Sequence, residues 1–229
     1  MVATTKIVRK FSQEEFEQMK RAGFFHEQKA FLVDGVVLVE TENGLEVRRW
    51  TRSEYYRMGE LGFFNGQRVE LVDGEVIVMS PMGAGHATAI TKVTRTLLYA
   101  FGEGFVIRVQ LPLAIEPESE PEPDVAVVIG SPDDYIGEHP STAVLVVEVA
   151  DTSLAYDRTD KAKVYARAGI PEYWIVNLLD RQLEVYRKPQ VLETQHCYAE
   201  VQILKANEFV SPLSKPEVKI SVADLLPAR

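Results

Sequence analysis

The chain has 229 residues, 25 Lys plus Arg against 34 Asp plus Glu, and a formal net charge of -9. With 46% apolar residues it is neither a disordered chain nor a membrane protein by composition. The acidic balance argues against coating nucleic acid by bulk charge, and the single cysteine, Cys197, excludes an intrachain disulfide or a Cys-based zinc site.

The first ten residues are basic, but no apolar run follows, so they do not read as a signal peptide. No stretch approaches the roughly 18 apolar residues of a spanning helix, and a soluble cytoplasmic protein is expected. The front of the chain repeats itself. Residues 11–41 align without a gap on residues 50–80, and 12 of the 31 positions are identical, including Met19/Met58, Gly23/Gly62, Phe24/Phe63 and a shared Leu-Val-Asp-Gly. Each copy predicts a helix capped by Ser12 or Thr51, a stop at Gly23 or Gly62, and a hairpin turning at Asp34-Gly35 or Asp73-Gly74. Glu70 and Glu75 of the second copy correspond to Phe31 and Val36 of the first. The first copy has exchanged charge for hydrocarbon. It either extends a sheet edge, mediates a dimer contact, or merely lengthens the domain. The expected organisation is a helix–hairpin unit over 1–49 and a main domain over 50–229.

Beyond the repeat the pattern is mixed α/β. Helical spacing of Ile90, Val93 and Leu97 predicts a helix over 86–100, ended by Gly102 and Gly104. Residues 105–115 alternate as a strand, 116–123 form an acidic, Pro-rich loop, and Asp124 opens a strand over 125–129. Residues 143–150 are apolar on both faces except at Glu148, which marks a central strand. A helix is expected over 156–168, then strands over 173–177 and 183–187, with weaker strands at 201–204 and 218–220. That order satisfies a mixed sheet flanked by helices.

Glu70, Asp124 and Glu148 lie inside or at the start of strongly apolar strands, where a carboxylate costs several kcal/mol unless it is paired or binds a cation. Taken singly, such acids are most often edge residues or ion-pair partners, and Asp73 is the acid of a turn. Lys161 shares a helical face with Asp157 and Tyr165. One site could therefore gather three carboxylates and an ammonium, a set suited to Mg²⁺ and phosphodiester chemistry. His86 is a helix-start residue in this reading. The Gly83-Ala84-Gly85 loop lacks the context of a nucleotide loop, and Ser80 and Ser153 lack that of an acyl-transfer nucleophile.

Three blocks carry a resemblance: VELVDGEVIVMSPMGAGH (69–86), EPEPDVAVV (120–128) and LVVEVADTSLAYDRTDKAKVYARAGIPEYWIVNL (145–178). Over residues 55–187 the chain resembles a large bacterial family classed as endonucleases within the restriction-endonuclease-like, PD-(D/E)XK superfamily. The resemblance implies an α/β, restriction-endonuclease-like mixed β-sheet flanked by helices. It implies Asp124 and Glu148 as ligands of Mg²⁺ or Mn²⁺, with Glu70 as a further acidic ligand, and DNA as substrate; a homodimer is expected separately. Gln110, His86 and Tyr165 would support the site, and Arg158 the helix. The superfamily lysine two residues after the second acid is Ala150 here; Lys161 takes the migrated position. Lys163 is the fallback, but it lies about 200° around the helix from Lys161, so only one of them can point inward. If Asp124 and Glu148 share a metal, their strands must be antiparallel or strongly staggered, because one acid begins its strand and the other ends its own. A basic strip of Arg48, Arg49, Arg52, Arg57 and Arg68 could meet DNA, or could be solvated surface. A catalytically inactive nuclease-like module that binds a protein or nucleic-acid partner is the alternative function, and a small-molecule phosphodiesterase the third.

Overall fold

In a computed structural model the chain is described over residues 6–26 and 28–228; half of the basic N-terminal stretch, residues 1–5, lies outside the described residues. In order the elements are β1 (Ile7–Val8), α1 (Gln13–Arg21), β2 (Ala30–Val33), β3 (Val36–Thr41), β4 (Gly44–Val47), α2 (Arg52–Glu60), β5 (Val69–Val72) and β6 (Glu75–Val78). There follow α3 (Ala84–Phe101), β7 (Phe105–Val109), β8 (Val125–Ile129), β9 (Leu145–Ala150), α4 (Leu154–Tyr156), α5 (Ala162–Arg167) and β10 (Glu172–Asn177). The chain closes with β11 (Gln182–Leu192), β12 (Gln195–Lys205), β13 (Phe209–Val210) and β14 (Ile220–Ser221). It divides into two compact units. One is Lys6–Ser80 with Pro117–Glu120; the other is Pro81–Glu116 with the chain from Pro121 onward.

The first unit is the duplication made physical. Both helices open with a reciprocal capping box: Ser12 accepts from the Glu15 N–H and donates its own N–H back to the Glu15 carboxylate, and Thr51 does the same with Glu54. Each box satisfies two of the N–H groups that a helix start leaves without partners, typically worth about 1 kcal/mol. Both hairpins turn on two residues with positive φ, Asp34 and Gly35 (50° and 79°) and Asp73 and Gly74 (52° and 73°), the geometry that matches strand twist. The copies also exchange strands. β1 leads the first copy but pairs with β6 of the second; β4 leads the second but pairs with β3 of the first. Arg9 N–H reaches Val76 O at 2.8 Å, and Arg48 N–H, 39 residues on, reaches Val37 O at 2.9 Å. Phe16, Met19, Phe24, Trp50, Met58 and Phe63, drawn from both copies, share one core. The chain therefore parts at Ser80, not at Arg49, because neither copy can bury its apolar face alone. The repeat also begins earlier than residue 11, since Val8-Arg9 and Val47-Arg48 are part of it.

The second unit is built on a six-stranded sheet in the order β12-β11-β10-β9-β8-β7. Only β9 and β10 run parallel, joined by the helical crossover; every other neighbouring pair is antiparallel. α3 covers one face, where Ile90, Val93 and Leu97 meet Val125, Val147 and Trp174. Tyr165 and Ala166 of α5 cover the other, against Ala126, Val146 and Ile175. Two expectations change. The strand expected over 105–115 ends at Val109, because Gln110 turns to a positive φ of 50° and Pro112 lacks an N–H. The strand over 183–187 and the weaker one over 201–204 are the inner halves of an 11-residue hairpin pair, β11 and β12, whose outer halves carry polar residues and so hide from an apolar count.

The first unit yields a test of its internal symmetry. A Cβ added at Gly35 would stand 2.7 Å from Lys10 Cβ, and one added at Gly74 would stand 2.7 Å from Arg49 Cβ, both on left-handed backbone. Gly35→Ala and Gly74→Ala should each destabilise the protein by roughly 1–3 kcal/mol, and by similar amounts. Urea denaturation of the two variants checks this.

Candidate active site

Asp124 stands just ahead of β8, and Glu148 is the fourth residue of β9. The antiparallel register pairs Val125 with Val147, which sets Asp124 directly opposite Glu148. The Asp124 N–H donates to Glu148 Oε2 at 3.3 Å, and the Val149 N–H donates to Asp124 Oδ2 at 2.8 Å. Both carboxylates are buried, so each must be compensated. For Glu148 the compensation comes from the crossover: Lys161 Nζ and the Tyr165 hydroxyl both donate to Oε1, at 2.9 and 2.7 Å. For Asp124 it comes from His86 Nε2, 3.1 Å from Oδ2, and from Gln110 Nε2, which donates to Oδ1 at 3.2 Å. A carboxylate only accepts, so His86 carries its proton on Nε2 in this contact.

Local structure aims these groups. His86 sits in the first turn of α3. Gln110 owes its position to its left-handed backbone, which also turns its N–H toward Asp124 O at 3.2 Å. Between α4 and α5 the residues Asp157–Lys161 form a π-turn, a wider winding that recurs at functional sites. The expected single helix is thus one run from Leu154 to Arg167 with a widened middle. It buries Lys161 and leaves Lys163 exposed. Arg158 leaves the π-turn to clamp Glu184 of β11 with two bonds, at 2.9 and 2.5 Å. Glu184 lies in one row across the sheet with Ile175 and Glu148. The same helical run is therefore moored to two buried acids, two strands apart.

Charge follows geometry. Burial works against a proton on His86, but the hydrogen bond and charge of Asp124, with the charges of Asp151 and Glu148, outweigh it and hold the imidazole above its usual range. Burial would raise Asp124; the His86 bond and charge, the Val149 N–H and the Lys161 charge win and hold it below the usual carboxylate range.

His86, Gln110, Asp124, Glu148, Lys161 and Tyr165 thus meet in one hydrogen-bonded cluster. Glu70 belongs to the other unit, buried on β5 opposite Ile77. Among the described residues no three His, Cys, Asp or Glu are grouped to hold a metal ion. The donor set of the cluster is two carboxylates. That suits a hard cation such as Mg²⁺, which takes one or two protein carboxylates and completes its shell with water and phosphate oxygens. The arginine strip is largely spent within its own unit: Arg48 on Glu54, Arg49 on Asp73 O, Arg52 on Glu120 and Arg57 on Ala22 O. Sequence reading missed Asp151, whose Oδ1 is 3.9 Å from His86 Nδ1, and Glu184. An acid directly after a central strand and an acid between apolar strand residues were the available signals.

A mixed sheet with an antiparallel start, a helical crossover and two acids on its adjacent strands is the architecture of the restriction-endonuclease-like class. Residues 52–223 match the Uma2 family, described as "putative restriction endonuclease", and the chain belongs to that family. The match leaves the first copy of the repeat outside. Among solved structures, one from Anabaena variabilis, described as a "putative nuclease" of DUF820, is similar with a TM-score of 0.61 and 16% identity. That likeness covers 76% of this chain and 96% of the other. Comparison with curated proteins gives no match.

Two outcomes follow from the burial of these charges. Lys161→Met leaves Glu148 without its ammonium and should cost about 3–5 kcal/mol; adding Glu148→Gln should return much of it, as a double-mutant cycle by urea denaturation will read. The His86–Asp124 pair should also set a pH window. The raised His86 contributes stability that is complete below about pH 6.5 and lost as pH rises through its folded value. The lowered Asp124 contributes stability present above about pH 3.9 and lost as pH falls through its folded value. In chelator, His86→Gln should abolish the alkaline loss and move the acid limb toward the ordinary carboxylate range, as thermal melts across pH will read.

Proposed function

We propose that this chain is a Mg²⁺- or Mn²⁺-dependent endonuclease that hydrolyses phosphodiester bonds of DNA. The observation that carries the reading is the convergence of Asp124, Glu148 and Lys161 in one buried, fully hydrogen-bonded cluster. Family membership supports nuclease chemistry, and the donor types support a hard cation. When bound, the metal would polarise the scissile phosphate, and Asp124 and Glu148 are the residues that would hold it. Hydrolysis adds the oxygen of water to phosphorus, breaks one P–O ester bond and returns a proton to the leaving oxygen.

The chain's own groups have distinct tasks. Gln110 and His86 fix the two oxygens of Asp124. Tyr165 and Lys161 both donate to Glu148 Oε1. The Lys161 ammonium stabilises negative charge that builds on the attacked phosphate and orients the water. The Arg158–Glu184 clamp holds the π-turn that places the ammonium. Glu70 is the assisting acid of the family resemblance.

The test is plasmid nicking with Mn²⁺ and Mg²⁺. Asp124→Ala, Glu148→Ala and Lys161→Ala should each lower the rate on the order of 100-fold or more. His86→Gln, which acts through Asp124, should cost about 10-fold to 100-fold; Glu70→Gln is read in the same series. No metal-dependent nicking by the parent protein, or nicking that survives Asp124→Ala, overturns the reading in favour of a nuclease-like binding module.

A further inference from the structure

The two copies in the first unit differ in what lies along their outer strand. In the second copy the outer edge of β5 is filled by Pro117–Glu120, bridged antiparallel at Leu71 and Glu120. Glu120 N–H donates to Leu71 O at 2.8 Å, Asp73 N–H to Ser119 Oγ at 3.0 Å, and Gly74 N–H to Glu118 O at 2.7 Å. Arg52 N–H, at the start of α2, donates to Pro117 O at 2.7 Å. The Glu120 carboxylate then docks on Arg52 Nε at 2.6 Å and on the Tyr56 hydroxyl.

An offset of 39 residues carries these four backbone groups to Leu32 O, Asp34 N–H, Gly35 N–H and Gln13 N–H in the first copy. The two copies share caps, turns and exchanged strands, so the four groups keep the same arrangement. Among the described residues none of them meets a hydrogen-bond partner. Leu32 alternates out of the β2–β3 ladder, and Gln13 opens its helix, so all four face outward. The adjoining sheet face is open as well. Phe31 and Val33 are 42% and 49% exposed, and Leu45 and Val47 join them on that face across the register. Their counterparts Glu70 and Val72 are 3% and 2% exposed. An apolar edge of this kind is normally covered.

The side chains that differ say what would cover it. Where Arg52 and Tyr56 grip Glu120, the first copy has Gln13 and Glu17; Glu17 Oε1 accepts from Gln13 at 3.2 Å and pairs with Lys20 at 3.0 Å on the exposed helix surface. The cationic and phenolic donors that hold a carboxylate in the second copy are replaced by an amide and an acid. A carboxylate therefore loses its partners there, and a lysine or arginine can share Glu17, whose surface pair with Lys20 is worth little. The preceding residue of the segment, in the place of Ser119, points to the opposite face and meets Phe31 and Val33. We infer that the outer edge of β2, with the start of α1, is a strand-binding slot for an extended segment of a partner protein in which an apolar residue is followed by Lys or Arg. The segment adds as an antiparallel strand: backbone groups supply affinity, and the two side chains supply choice. A second copy of this chain fits less well. Pairing β2 with its own copy would set Leu32 against Gln13 and Glu17 and leave the apolar face uncovered. The inference does not rest on the nuclease reading.

The probe is a capped synthetic peptide, Pro-Thr-Ile-Lys between Gly-Ser flanks, titrated into the ¹⁵N-labelled full chain. Amide shifts should centre on Gln13, Asp34 and Gly35. The same peptide with Glu for Lys should bind at least about tenfold more weakly, a loss of about 1.4 kcal/mol. Glu17→Arg, a change on an exposed helix surface, should reverse that preference, with the amide spectrum of the second unit as a control that stays unchanged. Shifts elsewhere, no shifts at several mM peptide, or a preference that Glu17→Arg leaves untouched overturns the inference. So does a dimer in sedimentation that Phe31→Lys dissociates, because a second copy would then be the occupant.

Discussion

The second unit depends on one costly arrangement, two carboxylates facing each other on the adjacent strands β8 and β9 inside an apolar sheet. Removing each charge from water costs several kcal/mol. Within this stretch of chain, two backbone N–H groups offset part of that cost. The remainder must be imported, and much of the architecture can be read as its import. The crossover carries Lys161 and Tyr165 to Glu148, the first turn of α3 carries His86 to Asp124, and a left-handed residue carries Gln110 there. The sheet order follows, because a crossover helix can return over Glu148 only if β9 and β10 are parallel neighbours.

Ion pairs buried in this way seldom stabilise a fold beyond what a hydrocarbon core would give. Their retention is better explained by chemistry that needs charge held ready, out of bulk water, at a fixed spacing. The π-turn makes the same point. It widens the helix where Lys161 and Arg158 leave it, and each ends on a buried acid. The turn also presents the Asp157 carbonyl to the Tyr173 hydroxyl at 3.1 Å, so it is tied to the sheet at the point from which the ammonium is aimed.

Legibility in the sequence followed locality. Caps, Asp-Gly turns and the apolar periods of α3, β8, β9 and β10 are local signals, and they located those elements to within a few residues. Which end of each strand holds its acid narrowed the pairing of the Asp124 and Glu148 strands to antiparallel or strongly staggered, given one shared site, and the register is antiparallel. What stayed hidden depends on contacts remote along the chain. β1 and β4 are two and four residues long and owe their pairing to the other copy of the repeat. The outer halves of β11 and β12 carry too many polar residues for an apolar count. Glu184 is an unremarkable acid until Arg158 arrives from 26 residues away. His86 could be read as a helix-start residue because no local pattern distinguishes a histidine beside backbone from one beside Asp124.

The duplication shows how one physical unit can take on two histories. The copies depend on each other, since they exchange strands and share one core. Once locked together, their outer edges were free to diverge. The second copy kept charge at Glu70 and Glu75 and closed its edge with Pro117–Glu120, a segment of the loop that leads on to Asp124. The first copy has Phe31 and Val36 in the places of Glu70 and Glu75, and Glu17 in the place of Tyr56 at the mouth of its edge. Had that face drifted without constraint, exposed Phe31, Val33, Leu45 and Val47 would be a liability for aggregation, and polar replacements would cost the core nothing. Four apolar side chains beside an open strand edge therefore point to a surface that is kept for contact.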